Sequence, residues 1–196
     1  MSAVEEKKQQ KRLSILDAAF NLFSDKSVHT TAIDEVVKRA GVAKGTFYLY
    51  FKDKYDLLDA IIVRKTTAIV RAAFDKLEEE RKDREMTLKS QTVFFIDRII
   101  DALKENKGLV ALIDKNMAAC FRAFAKIDDE DIVRSVKELL ETYISKGYST
   151  DEAKKMLYIT MDMVGSACCD AILNENPYSI EEIRPTIHIM VEKLFS

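Results

Sequence analysis

Between Lys44 and Lys54 the chain gathers side chains suited to holding a polyanion: Lys44, Thr46, Tyr48, Tyr50 and Lys54 carry ammonium or hydroxyl groups. If the stretch is helical, Lys44 and Tyr48 share one face and Thr46 and Tyr50 another, because residues four apart are neighbours. Phe47 and Phe51 form a third such pair, on a face that can turn inward. A helix so equipped fits a DNA major groove. There a lysine reaches guanine acceptors, a threonine bonds base edges or touches a thymine methyl, and tyrosine hydroxyls reach phosphates. Gly45 costs about 1 kcal/mol of helix propensity against Ala, which a close backbone approach to a partner would explain. Thr31 and Lys54 are read as standing at the starts of flanking helices, where free N–H groups favour a phosphate oxygen. Lys7, Lys8, Lys11 and Arg12 would extend the positive surface.

These residues need a scaffold, and the pattern supplies one. Leu16, Phe20 and Phe23 put one apolar stripe on a first helix, Lys7 to Asp25. Ile33, Val36, Val37 and Ala40 do the same for a second, with Thr31 read as its N-cap and Gly41 as its left-handed stop. A third helix follows from Lys44 to about Phe51, where Phe47, Phe51 and Val42 can pack on the Ile33, Val36, Val37 stripe. Asp53 with Asp56 caps a long fourth helix toward Glu80. Further helices are marked by Ile96, Ile99, Ile100 and Leu103, by Leu109 to Phe124, and by Ile132, Val136, Leu139, Leu140 and Tyr143. Capping boxes at Ser149/Glu152 and Ser179/Glu182 precede the last two, Ala153 to Leu173 and Ile180 to Phe195. Pro185 implies a kink or a late start in the last one.

The stretch from Thr31 to Leu58 resembles the TetR family of transcriptional regulators. The residues that carry the resemblance are Thr31, Ile33, Val36, Ala40, Gly41, Val42, Gly45, Thr46, Phe47, Tyr48, Tyr50, Phe51, Lys54, Leu57 and Leu58. The resemblance implies a homodimer, an operator with two-fold character, and a C-terminal domain that binds a small inducer and releases DNA. By position, Thr31, Lys44, Gly45, Thr46, Tyr48, Tyr50 and Lys54 inherit the DNA contacts. Two residues depart from the pattern: Ser27 replaces a usual glycine, and Ala43 replaces a usual hydroxyl residue before the recognition helix.

Composition agrees with an all-α fold, since 196 residues contain only 5 Gly and 2 Pro. The expected architecture is a three-helix helix-turn-helix domain over residues 1–54, joined by a long helix to a helical ligand-binding and dimerisation domain over 55–196. Charge divides the same way. Residues 1–54 hold 10 Lys/Arg against 7 Asp/Glu, leaving 21 against 26 for the rest. No apolar run approaches the roughly 20 residues of a membrane span, and a cytoplasmic protein with no membrane partner is expected. Three cysteines and two isolated histidines (His29 in a loop, His188 on a helix surface) form neither a disulfide framework nor a metal set. No cofactor and no catalytic residues are expected.

In the second domain Phe94, Met117, Phe121, Phe124, Tyr143, Tyr158, Met161 and Asp162 are the ligand-binding candidates, for an unknown small molecule with a hydrophobic part. Helical spacing alone does not separate a pocket wall from a filled core. Asp162 and Asp170 interrupt an apolar helix and call for a cationic ligand, an arginine or solvent. The last two helices carry apolar residues on more than one face: Met156, Leu157, Met161, Val164, Cys168 and Ile172, then Ile183, Ile187, Met190 and Leu194. That surplus suggests a homodimer through a four-helix bundle. The function implied is a repressor released by a small molecule. The alternative is a constitutive DNA-binding organiser of the same fold.

Overall fold

A computed structural model describes residues 2–117, 120 and 130–194. Among these, regular structure is all helix: α1 Ala3–Asp25, α2 Ile33–Ala40, α3 Lys44–Tyr48, α4 Lys54–Asp83, α5 Leu88–Lys104, α6 Lys107–Asp114, α7 Glu130–Ser145, α8 Thr150–Leu173 and α9 Ile180–Leu194. The chain divides into two compact units, one ending at Lys65 and one beginning at Thr66, so α4 has residues in both.

In the first unit α1 packs on α2, and α2 on α3. Ile15, Leu16, Ala19, Leu22, Phe23, Val36, Val37, Phe47, Phe51, Leu57, Leu58, Ile61 and Ile62 are buried. α1 starts four residues before the expected Lys7, because Ser2 accepts the Glu5 N–H and caps it. α2 ends as its pattern predicts. Gly41 adopts φ 67°, ψ 33°, and the Val42 N–H donates to the Val37 carbonyl at 3.0 Å. Ser27 does take a positive φ, 110°, without being glycine. Its hydroxyl meets the Thr30 hydroxyl at 3.1 Å.

The second unit holds together through α5, α6, α8 and α9, with α7 against α8. Val70, Phe74 and Ile132 form one buried cluster, with Phe95 and Ile99 packed on it. The capping box at Ser149 is present, and at Ser179 half of one forms: the Ser149 and Ser179 N–H groups each donate to the Glu three residues on at 2.8 Å, but the Ser179 hydroxyl also donates to Glu182. Arg184 of α9 donates to Asp101 of α5 at 2.7 Å, and His188 Nε2 lies 2.8 Å from Asp97. His188 is therefore a half-buried strut between two helices and not a free surface residue.

Other expectations need correction. The sixth helix stops at Asp114 and not at Phe124: Asn116 returns its side-chain amide to the Leu112 carbonyl at 2.8 Å, taking an acceptor the helix would use. α9 begins at Ile180 as expected and runs through Pro185, so of the two courses open at the proline the late start is excluded. α8 is long and apolar enough to cross a bilayer by length and composition, with mean hydropathy 1.4 over an 18-residue window, contrary to the sequence expectation. Only 22% of that window is buried within the protomer. The apolar residues left outside are also not those expected. Cys168, Ile172 and Ile187 are buried, whereas Ile159 and Met163 of α8 and Ile189 and Met190 of α9 are about half exposed. Of the set named for the partner face, Met190 is thus one that lies outside.

Candidate nucleic-acid interface

The site begins with two rings. Phe47 is 0% exposed and Phe51 3%, their centroids 5.8 Å apart, so α3 is anchored by one face. The opposite side follows from that anchor. Tyr48 is 53% exposed, Lys44 and Gly45 are exposed, and Thr46 and Tyr50 are partly so. A Cβ added to Gly45 would meet open space. Ala43 caps α3 without a side-chain hydrogen bond, so its missing hydroxyl is not replaced locally.

Thr31 stands differently from its expected place. The N-cap of α2 is Ala32, one residue later, and Glu35 accepts the Ala32 N–H at 3.3 Å while pairing with Lys26 at 3.0 Å. The Lys26 hydrogen bond, then that of Ala32, holds the Glu35 carboxyl below its usual range. Thr31 is 1% exposed, and its hydroxyl donates to the Ser27 carbonyl at 2.7 Å. The register slips because Ser27 turns the chain early, so Thr31 faces the corner and not the solvent.

At the start of α4, Asp53 accepts the N–H groups of Tyr55 at 2.8 Å and Asp56 at 2.9 Å, and Asp56 accepts from Lys52 at 2.9 Å. Those backbone bonds, Asp56 first, keep the Asp53 carboxyl low. They also occupy N–H groups that were expected to be open to a phosphate. Lys54 donates to the His29 carbonyl at 2.7 Å and the Thr31 carbonyl at 3.3 Å, tying the α1–α2 loop to α4.

Sequence reasoning missed Leu49, which is 80% exposed just after α3. It lines a groove of about 500 Å³ with Val4, Lys7, Lys8, Lys11, Thr46 and Tyr50. The signal was available: Leu49 lies two residues from Phe47 and from Phe51, off their shared face. Arg12 has another role than its neighbours, since its guanidinium lies over the Phe51 ring at 5.4 Å.

A buried aromatic anchor beside an outward row of Lys, Thr and Tyr, entered through a Gly41 turn, is a helix-turn-helix. Residues 15–61, which include all of α2 and α3, match the sequence profile described as bacterial regulatory proteins, tetR family. This segment is a DNA-binding region of the TetR family. The chain is a DNA-binding transcriptional regulator and not an enzyme, in keeping with the regulators it is similar to. It is 25% identical to the fatty acid metabolism regulator protein of Bacillus subtilis over 79% of this chain and 76% of that one. It is 47% identical to the transcriptional regulator AcrR of Shigella flexneri over 27% of this chain and 25% of that one. Among solved structures, a tetR family regulator from Shewanella sp. PV-4 superposes with TM-score 0.69 at 16% identity, covering 93% of this chain and 96% of that one. FadR of Bacillus subtilis in complex with stearoyl-CoA gives 0.64 at 20% identity, covering 94% and 99%.

In the second unit the expected ligand residues scatter. An open groove of about 500 Å³, lined by Arg84, Thr87, Lys89, Ser90, Val93, Asp97 and Glu192, takes in only Phe94 of the set. Met117 Sδ lies 4.0 Å from where a Cβ on Gly165 of α8 would stand, which brings it beside the helix of Met161 and Asp162. Tyr143 is buried, which raises its hydroxyl pKa, and Tyr158 is half exposed. Phe121 and Phe124 lie outside the described residues. Asp162 is half-buried, and Asp170 is exposed and accepts from Asn174 at 2.6 Å, so solvent meets Asp170.

Proposed function

We propose that the chain is a cytoplasmic, ligand-responsive repressor that binds an operator with two-fold character as a homodimer. Residues 1–54 would form the DNA-binding part and 55–196 the ligand-binding and dimerising part. The observation that carries the DNA reading is the complete burial of Phe47 under an exposed Lys44 and Tyr48. Lys44, Gly45, Thr46, Tyr48 and Tyr50 are the proposed groove contacts, and Lys54 steadies the loop beside them while keeping a proton for a phosphate. Thr31 acts behind them, through the corner. The dimer reading is supported by Ile159, Met163, Ile189 and Met190, apolar side chains that one protomer leaves half exposed on two packed helices.

For the effector, the relation to a fatty acid metabolism regulator and the fold shared with a stearoyl-CoA complex support a long acyl thioester as the first class to test. Met117 and Met161 would meet its chain. An apolar tail suits a wall of methionines, which adapt to its shape. α4, with residues in both units, is the proposed carrier of the response.

The test takes the full chain and a duplex recovered by it from a random-sequence pool. Stearoyl-CoA is expected to release the duplex and raise the melting temperature of the protein. Recovery of no preferred duplex would end the regulator reading. Binding that ignores acyl thioesters of every length, with no thermal shift, would favour the constitutive organiser instead.

A further inference from the structure

We propose that Leu49 reads a thymine methyl, in an apolar spot framed by the lysines of α1. The inference rests on the DNA-binding reading above and adds to it a base-specific contact. A single exposed leucine is ordinary on a protein surface. The surroundings of this one are not. Leu49, 80% exposed, shares its groove with Val4, itself 65% exposed, and with Lys7, Lys8 and Lys11. Val4, Lys7, Lys8 and Lys11 follow the spacing i, i+3, i+4, i+7, which puts all four on one face of α1. Glu5 and Glu6 fall on other faces of that helix, so the rim of the groove is cationic. Thr46 and Tyr50 of the proposed recognition segment close the other side.

An apolar floor inside a basic rim matches a partner that displays small apolar groups between phosphates. In duplex DNA that group is the thymine C5-methyl, which stands in the major groove within reach of a side chain whose neighbours hold the backbone. Leu49 has no polar atom with which to read any other edge. Its contribution is therefore discrimination for thymine at one position of each half-site, while the lysines add affinity without sequence preference.

The experiment uses the full chain and the duplex it selects. Each thymine of a half-site is replaced in turn by deoxyuridine, which removes only the methyl. One such replacement is expected to weaken binding by wild type about threefold to fivefold, near the worth of one buried methyl. Leu49→Ala is expected to bind thymine and deoxyuridine duplexes equally, with its melting curve unchanged because the side chain is exposed. If no position responds to the methyl, or if the response persists in Leu49→Ala, the proposal is overturned while the regulator reading stands. If no duplex is selected, both fall. If phosphatidylglycerol vesicles bind the chain in a Leu49-dependent way and selected duplex does not compete, the groove is a lipid surface and the proposal is also overturned.

Discussion

Lys44 Nζ lies 2.8 Å from Asp34 Oδ1, so the free protein keeps the leading cation of α3 on a carboxylate of α2. Both side chains are more than half exposed, at 53% and 69%, so water screens the pair and a phosphate can displace it. The Asp34 hydrogen bond raises the Lys44 pKa, which keeps the ammonium charged at any working pH. Asp34→Asn is expected to tighten DNA binding about threefold by removing the competing anion. Lys44→Ala should weaken it and reduce the salt slope by about one. Band shifts across a salt series check both, and equal affinity for Asp34→Asn and wild type would take Asp34 out of the account.

Thr31 gives a second prediction because its hydroxyl is buried and already bonded to Ser27. Thr31→Val should lower unfolding free energy by about 1–2 kcal/mol and leave the salt slope of DNA binding unchanged. Denaturant titration paired with band shifts separates the outcomes. Reduced affinity at full stability would place that hydroxyl against the duplex.

Ser27 sits at φ 110°, where a side chain is strained and glycine is not. Ser27→Gly should stabilise the first unit by up to about 1 kcal/mol, net of the greater freedom of the unfolded glycine and the lost contact to Thr30. Thermal melting reads the sign. A clear loss would mean that the Ser27 side chain matters more than its backbone.

On α8 the exposed pair Ile159 and Met163 is one turn apart. A carboxylate placed there would be buried without a partner in a dimer but solvated in a monomer. Met163→Asp is expected to shift sedimentation from dimer to monomer and to weaken operator binding with it. A variant that remains dimeric would move the interface off this face.

The cysteines supply a pH dependence. Burial pushes the Cys168 thiol up to about 11, against a partial opposing pull from Arg184. Burial chiefly, then Asp114 and the neighbouring thiols, pushes Cys169 to about 12. Raised values favour the protonated folded state, so this stability is complete below the ordinary thiol range and is lost as pH climbs toward those folded values. The urea midpoint should hold to about pH 8.5 and then decline toward pH 11, less steeply in Cys169→Ala. At pH 8 both thiols should resist a disulfide reagent until the chain is unfolded. Rapid reaction of either in the native protein would show that it is reachable.

Much was legible along the chain because it is settled within one helical turn. The Gly41 stop, the box at Ser149, the Ser179 to Glu182 bond, the Asp53 cap and the inward Phe47 and Phe51 each depend on residues no more than five apart. The same local logic made the recognition segment readable, since anchoring one pair of rings forces the intervening side chains outward.

Local pattern alone determined an all-helical chain with an outward-facing Lys, Thr and Tyr segment near its start. Tertiary structure alone decided that Thr31 turns in toward Ser27, that Leu49 joins the lysines of α1 in one groove, and that Ile159 and Met163, not Cys168 and Ile172, face outward from α8. The reason is physical. α8 is apolar on most of its circumference, so periodicity names no inner side, and only the packing of α5, α6, α7 and α9 against it chooses which residues are covered.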